Sequence, residues 1–254
     1  MFLHTKSIIL DYHNLSKKMD ISRLKWFCIA VGNKLPIRDF LSKHAVFWKD
    51  RIILRHISVS ILLLILSLIL IYSAQNYTDG FTGNIVPDIL LDRLPVIDVS
   101  YIFFQGAFIF VLILAGILIY EPKYIPFTFE ASALFFFVRS FFMVMTHLSA
   151  PSIEYYKYIE HEHHTREVLF TLSSGNDLFF SGHTGYPFLL ALIFWREKRL
   201  RVFFLICSLI GAIAVILWHV HYSIDVFSAF FITYSILRVA ETFFQKEYLM
   251  TKED

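Results

Sequence analysis

The sequence predicts an all-α membrane protein, a bundle of six transmembrane helices with both termini in the cytoplasm. Three observations lead to this prediction. The 254-residue chain is 57% hydrophobic and only 17% charged, its apolar residues fall in long runs, and its basic residues lie mostly on one side of those runs. This composition is too apolar for an ordinary soluble domain. At about 20 residues a span, the length suits one six-span bundle.

Five apolar runs are long enough to predict membrane-spanning helices. These are the first, second, third, fifth and sixth spans, at residues 57–74, 99–120, 125–148, 200–218 and 223–243. The fourth, 184–195 with 178–182 leading into it, is short, and hydropathy alone also allows a re-entrant segment. An even number of crossings agrees with the distribution of charge, so we predict six.

The positions of lysine and arginine predict the orientation. With the N-terminus in the cytoplasm, eighteen of these residues fall inside and only Arg93, Lys157 and Arg166 fall outside. This asymmetry follows the positive-inside rule. We therefore expect a multi-pass membrane protein whose outer ends face the periplasm, a lumen or the extracellular space.

Three segments follow from this arrangement. Residues 1–56 form a basic amphipathic segment on the anionic inner leaflet, 57–243 form the six-span catalytic domain, and 244–254 form a cytoplasmic tail. We expect no cleavable signal peptide before the first span. Cys28 and Cys207 are far apart and indicate neither a disulfide framework nor a cysteine-rich metal site.

Two polar stretches fall at the outer membrane boundary in this orientation. DLFFSGHTGYPF (177–188) places His183 at the outer end of the fourth span, and WHVHYSIDV (218–226) places His219 and His221 at the outer entrance of the sixth. The orientation rests on basic residues alone, so this common depth is independent of the motifs. We expect these histidines to meet.

The residue types in these stretches are those of phosphoryl transfer. His221 and Asp225 are four apart, so on one helix face the carboxylate can accept the imidazole N–H, which fixes the tautomer and raises the basicity of the other nitrogen. Ser181 or Thr184 can cap the fourth span, Gly182 allows close backbone approach, and helix N-termini bind anions such as phosphate. Two imidazoles beside an anion pocket suit one nucleophilic histidine and one general acid and base.

GNDLFFSGHT and HVHYSIDV resemble the two catalytic motifs of the sphingomyelin synthases, within the type 2 phosphatidic acid phosphatase (PAP2) superfamily. FFVRSFFMVMTHLSAP (136–151) is similar to a third stretch of that family, with Arg139, Thr146 and Pro151 in the corresponding places. The resemblance implies that His221, oriented by Asp225, attacks the phosphorus of a phospholipid head group. His183 then protonates the departing diacylglycerol and later deprotonates the acceptor hydroxyl. In the family the acceptor is ceramide, and the product is sphingomyelin or ceramide phosphoethanolamine.

Three departures separate the chain from the phosphatases of the superfamily. Those enzymes carry a basic motif ending in Arg-Pro, a proline before Ser-Gly-His, and a Ser-Arg pair ahead of the catalytic histidine. Here no Arg-Pro occurs, Phe180 replaces that proline, and Ala214 and Val215 occupy the Ser-Arg positions. The favoured hypothesis is a head-group phosphotransferase, and the alternative is a lipid phosphate phosphatase. A third hypothesis is a metal-binding transporter or hydrolase with ligands from His183, His219, His221, Asp225 and the HEHH loop at 161–164.

The candidate residues outside the catalytic set leave alternatives open. Asp177 holds the acceptor, orients a histidine, or is a solvated loop acid. Arg139 contacts phosphate or pairs with a carboxylate, and His219 lines the pocket or lies in an exposed loop. The HEHH loop binds a metal or is solvated, and Glu130 snorkels or is a buried structural acid.

The predicted site has no metal and no cofactor. Its partners are a phospholipid donor, a lipid alcohol acceptor and the bilayer, with no nucleic acid. The predicted catalytic residues are His183, His221 and Asp225, and the predicted substrate contacts are Arg139, Asp177, Ser181, Gly182, Thr184, His219 and Tyr222.

Overall fold

The computed structural model describes residues 44, 47–79, 84–146, 148, 151 and 178–252. Helices with bounds inside this part of the chain are α1 Arg51–Asp79, α2 Ser100–Tyr120, α3 Ile125–Met145, α4 Gly182–Ile193, α5 Lys198–Leu217, α6 Ser223–Phe243 and α7 Gln245–Met250. Short 3-10 turns at Leu91–Arg93 and Pro122–Tyr124 precede α2 and α3. No strand forms among these residues apart from one isolated bridge between Asn84 and Leu148, so the all-α prediction is confirmed.

Five helices are long and apolar enough to cross a membrane: α1, α2, α3 with the turn before it, α5 and α6. The predicted fourth span forms a helix at the expected position, but α4 has only 12 residues. At 1.5 Å per residue it is about 18 Å long, well short of a hydrocarbon core of about 30 Å. The described residues thus contain five candidate spans, α4 is short as the sequence indicated, and six crossings stay a prediction.

Most helix bounds agree closely with the apolar runs, because a backbone inside lipid must satisfy its hydrogen bonds within the helix. The exception is α1, which extends beyond the predicted 57–74 at both ends and includes Arg51 and Asp79. Helical hydrogen bonding therefore continues past the apolar segment into polar sequence. The predicted basic segment lies largely outside the described residues.

The core surrounds α4, whose Leu189, Leu190 and Ala191 have no exposed surface. This short helix packs against α5 and α6, while α1 packs against α3. By contrast, α1 and α2 keep many exposed apolar side chains, as lipid-facing helices do. The centre of the bundle thus holds the helix that follows the Ser-Gly-His-Thr motif.

Several helix ends gather at one end of the bundle, which we call the site end. Thr146, which caps α3, donates its hydroxyl to the carbonyl of Leu178 at 3.3 Å. The N–H of Ser181, before α4, donates to the carbonyl of Asp225 in α6 at 3.0 Å. At the opposite end, His56 near the start of α1 pairs with Glu247 of α7. The first span and the segment after the last span therefore meet at the same end.

Candidate active site

A strained turn leads the chain into α4. Phe179 and Phe180 have φ angles of 86° and 29°, in the left-handed region that bulky side chains rarely adopt. Each such residue costs roughly 1–3 kcal/mol and persists only where its surroundings enforce it. Here the Phe180 ring is fully buried in the core, and its carbonyl accepts a hydrogen bond from Arg139. The turn fixes the position of the motif that follows.

Ser181 is the residue that caps α4. Its hydroxyl oxygen accepts the N–H of Thr184 at 3.4 Å, so Ser181, and not Thr184, performs the predicted capping. The N–H of Ser181 donates to the backbone carbonyl of Asp225, and this bond ties the start of α4 to the start of α6. The Thr184 carbonyl accepts the hydroxyl of Ser208 at 2.8 Å, while Thr184 Oγ1 is buried without a hydrogen-bond partner among the described residues.

His221 and Asp225 form a buried pair. Nδ1 of His221 lies 3.3 Å from Oδ2 of Asp225, and the two residues are 4% and 1% exposed. The four-residue spacing predicted that the two side chains stack on one helix face. They do not, because α6 begins only at Ser223, with Tyr222 as its N-cap, so His221 lies before the helix. Asp225 instead turns back toward the helix start, where the same oxygen accepts the N–H of Tyr222 at 3.2 Å. This second bond restrains the carboxylate that faces the imidazole.

His183 lies within electrostatic reach of both His221 and Arg139. Its ring stacks on Phe103 of α2, with ring centres 3.7 Å apart and planes 29° apart. Phe103 could not be recognised from the sequence, since nothing in its apolar run distinguishes it from neighbouring phenylalanines. Residues from α2, α3, α4 and the start of α6 therefore meet at the site end.

Gly211 of α5 is a second residue of the candidate site that was not predicted from the sequence. A Cβ atom at this position would lie 2.9 Å from the carbonyl carbon of His183 and closer still to its oxygen. Only glycine therefore lets α5 approach the backbone that carries His183. Small residues typically mark close helix–helix contacts in membranes, and the sequence IGAIA around Gly211 carries that signal.

Arg139 is 3% exposed on α3. Its guanidinium donates to the Phe180 carbonyl and lies 5.6 Å from the centre of the Phe180 ring. A Cβ at Gly182 would come within 3.2 Å of its Cζ atom, so the predicted close approach at Gly182 is to this arginine. Arg139 lies six residues before the end of α3, which ends at Met145 and so three residues before the predicted end of the third span at 148.

Three further residues singled out from the sequence, His219, Tyr222 and Glu130, are buried. His219 has a φ of 54° and is 8% exposed, so it is not an exposed loop residue. The Tyr222 hydroxyl accepts the N–H of Val86 at 3.2 Å and so contacts the loop before α2. Glu130 is 2% exposed and therefore does not snorkel. Asp177 and the HEHH loop lie outside the described residues.

One comparison with known proteins supports a membrane phosphoryl-transfer enzyme at the level of a broad class. A family model described as PAP2 superfamily C-terminal matches residues 174–242, the stretch that includes α4, α5 and nearly all of α6. The match supports the PAP2 superfamily of lipid phosphatases and phosphotransferases and does not separate the sphingomyelin synthase-like branch from the others. Comparisons with curated proteins and with solved structures give no match.

Proposed function

We propose that the protein is an integral membrane phospholipid head-group phosphotransferase, similar to the sphingomyelin synthases, that works through a phosphohistidine. The arrangement of His221 carries this proposal. Asp225 holds Nδ1, which leaves Nε2 as the nucleophilic nitrogen, and His183 interacts electrostatically with both His221 and Arg139.

The first half-reaction transfers the head group to the enzyme. Nε2 of His221 attacks phosphorus, a P–N bond forms, and the P–O bond to diacylglycerol breaks. Protonated His183 gives its proton to the departing oxygen. The Arg139 guanidinium and the N-terminus of α4 stabilise the negative charge on the other phosphate oxygens.

The second half-reaction reverses these roles. Neutral His183 takes the proton of the acceptor hydroxyl, the acceptor oxygen attacks phosphorus, and the P–N bond breaks. His221 is restored, and His183 regains the proton that it gave in the first step. Ceramide or another lipid alcohol is the proposed acceptor, and phosphocholine or phosphoethanolamine is the transferred group.

The surroundings of Val215 favour a transferase over a phosphatase. Val215 and Ala214 stand where the phosphatases carry a Ser-Arg pair, and they are 0% and 4% exposed. Val215 packs in an apolar cluster that includes Phe103 and Trp218, so no cation acts from this position. A phosphate monoester carries more negative charge than a phosphodiester and requires more cationic donors. A site based on Arg139 therefore suits the diester of an intact phospholipid.

We also propose six membrane crossings, with both termini cytoplasmic and the active site on the opposite face. The positive-inside asymmetry supports this orientation. Contacts at the site end support alternating helix directions, since α3 ends there, α4 begins there, and α5 ends where α6 begins. The pairing of His56 with Glu247 supports a common side for the two ends of the bundle. In this arrangement α4 crosses together with the segment that leads into it.

A head-group transfer assay tests the proposed reaction. Purified protein in vesicles receives a phospholipid labelled in its head group and a ceramide or diacylglycerol of distinct chain length. We expect the label to appear on the added lipid alcohol, and protein-free vesicles serve as the control. Labelled head-group phosphate released to water without a new labelled lipid would favour the phosphatase. No labelled product of either kind would overturn the proposed chemistry.

Chelation tests the metal-based alternative. Within residues 44–151 and 178–252, so far as the structure describes them, no three His, Cys, Asp or Glu side chains are grouped as metal ligands. We expect full transfer activity after exhaustive treatment with a chelator, because Arg139 and the α4 N-terminus supply the positive charge in the proposed mechanism. Loss of activity that an added metal ion restores would favour the third hypothesis.

A further inference from the structure

The loop before α2 contacts both catalytic segments at the site end. Leu91 is buried in a cluster with Leu178, which precedes the Ser-Gly-His-Thr motif, and Tyr222, which follows His221. The N–H of Val86 donates to the Tyr222 hydroxyl at 3.2 Å. This loop therefore connects the start of α4 with the start of α6.

Asp88 is the charged residue of this contact and is 8% exposed. Its Oδ1 atom accepts the N–H groups of Leu90 and Leu91 at 2.9 and 3.1 Å, which shapes the loop. Its Oδ2 atom accepts the N–H of Ser223 at 2.7 Å, across 135 residues of sequence. The two oxygens thus have separate functions, one within the loop and one at the first residue of α6.

The carboxylate form of Asp88 suits this position. Burial raises the pKa of Asp88, but the hydrogen bonds from Ser223, Leu91 and Leu90 outweigh it and hold the pKa below the ordinary value of a carboxyl group. A negative charge at a helix N-terminus is also stabilised by the helix dipole. Asp88 is therefore ionised near neutral pH and acts as an acceptor.

Two carboxylates share the N–H groups at the start of α6. Asp88 takes the N–H of Ser223, and Asp225 takes that of Tyr222 while it also contacts His221. Without Asp88, the Ser223 N–H would lack its partner and would compete for the Asp225 carboxylate, because a backbone donor that is partly shielded from water is costly to leave without an acceptor. Occupation of the Ser223 N–H by Asp88 leaves Asp225 oriented toward the imidazole.

We infer that Asp88 is a positioning residue for the candidate active site: by capping α6 from the loop before α2, it keeps Asp225 in hydrogen-bond contact with Nδ1 of His221. The inference rests on the proposed function for its effect on catalysis. Its structural part, the state of the His221 ring, can be measured without catalysis.

Three variants and one matched control test the inference. Asp88→Asn keeps an oxygen for the loop and places an amide N–H₂ opposite the Ser223 N–H. Ser223→Pro removes that N–H at the first helical position, where proline is tolerated, and Tyr222, with φ −69° and ψ 157°, already has the extended conformation favoured before proline. The third variant combines the two. Asp92→Asn is the control, since Asp92 is an exposed acid on the same turn.

The expected kinetic result for Asp88→Asn is a loss of kcat of head-group transfer by about 10- to 100-fold with little change in KM, because small misplacements of reacting groups have effects of this size. Ser223→Pro removes the N–H that would compete for Asp225, so this variant should stay close to the wild-type kcat. The double variant should match Ser223→Pro rather than Asp88→Asn, since no competing N–H remains. Asp92→Asn should match the wild type. A double variant as slow as Asp88→Asn would overturn the inference.

The structural readout is the tautomer of His221, measured from the ¹⁵N shifts of its imidazole in labelled protein. The wild type should show Nδ1 protonated, and Asp88→Asn should show a tautomer mixture while the protein remains folded by its melting curve. Identical spectra in the wild type and Asp88→Asn would overturn the inference. If the wild type transfers no head group, the spectra still decide on Asp88, and the proposed function alone has failed.

Discussion

His221→Gln is expected to abolish formation of the covalent head-group adduct, whereas His183→Gln is expected to allow it when the donor has a good leaving group. Loss of a nucleophile removes the first half-reaction, so turnover should fall by at least about 10³-fold. Loss of a general acid costs about 10²–10⁴-fold with a poor leaving group. A nitrophenolate leaves without protonation, so this donor bypasses the first role of His183.

The measurement uses an alkyl-chain nitrophenyl ester of phosphocholine labelled in its head group. Wild-type protein should release nitrophenol and transfer the label to an added lipid alcohol. His183→Gln should release one nitrophenol per protein and retain an acid-labile, protein-bound label, because it cannot activate the acceptor. His221→Gln should do neither. Labelled adduct on His221→Gln, or no nitrophenol release from His183→Gln, would contradict the assignment of the two roles.

Much of the helical layout could be predicted because lipid constrains the backbone strongly. An apolar run must be helical wherever it meets hydrocarbon, and α6 begins at Ser223, the predicted residue. The length of α4 shows the limit of this argument. Its flanks are polar or bent, and hydropathy does not say how a buried 12-residue helix is completed by the turn at Phe179 and Phe180.

Parts of the candidate site could be predicted from local spacing. His221 and Asp225 are close in sequence, so their contact follows from almost any compact turn or helix, although the helix-start geometry differs from the predicted stacking. Arg139 was found because a charge within an apolar run requires a partner. The hydrogen-bond acceptor for Arg139, the carbonyl of Phe180, could not be predicted. This carbonyl faces Arg139 because Phe179 and Phe180 form a left-handed turn.

Contacts between segments that lie far apart in the chain could not be predicted from the sequence. Phe103 and Asp88 lie in different segments from the motifs, and their residue types are common where they occur. Asp88 meets Ser223 across 135 residues, and Phe103 of α2 meets His183 of α4 across 80 residues. Only the packed structure distinguishes them from neighbours such as Asp92 and Phe104. The residues that support the predicted catalytic set were therefore the part that local patterns could not identify.

Gly211→Ala is expected to cause a large loss of activity without touching any titratable group. The added methyl group would overlap the His183 carbonyl, and backbone cannot move aside as a flexible side-chain end can. α5 and α4 must therefore separate, at a typical cost of about 1–3 kcal/mol for overpacking. A shift of about 1 Å at His183 corresponds to about 10²-fold in turnover. Melting temperature and kcat of the purified variant measure the two effects.

Gly116→Ala is the matched control, since it makes the same change in a membrane-spanning helix. A Cβ at Gly116 of α2 meets no atom within 4 Å, and alanine favours a helix over glycine by up to about 1 kcal/mol. This variant should retain wild-type kcat and melt at the same or a slightly higher temperature. If Gly211→Ala behaves like Gly116→Ala in both measurements, then α5 does not hold the His183 backbone. The close contact at Gly211 would then have no part in forming the site.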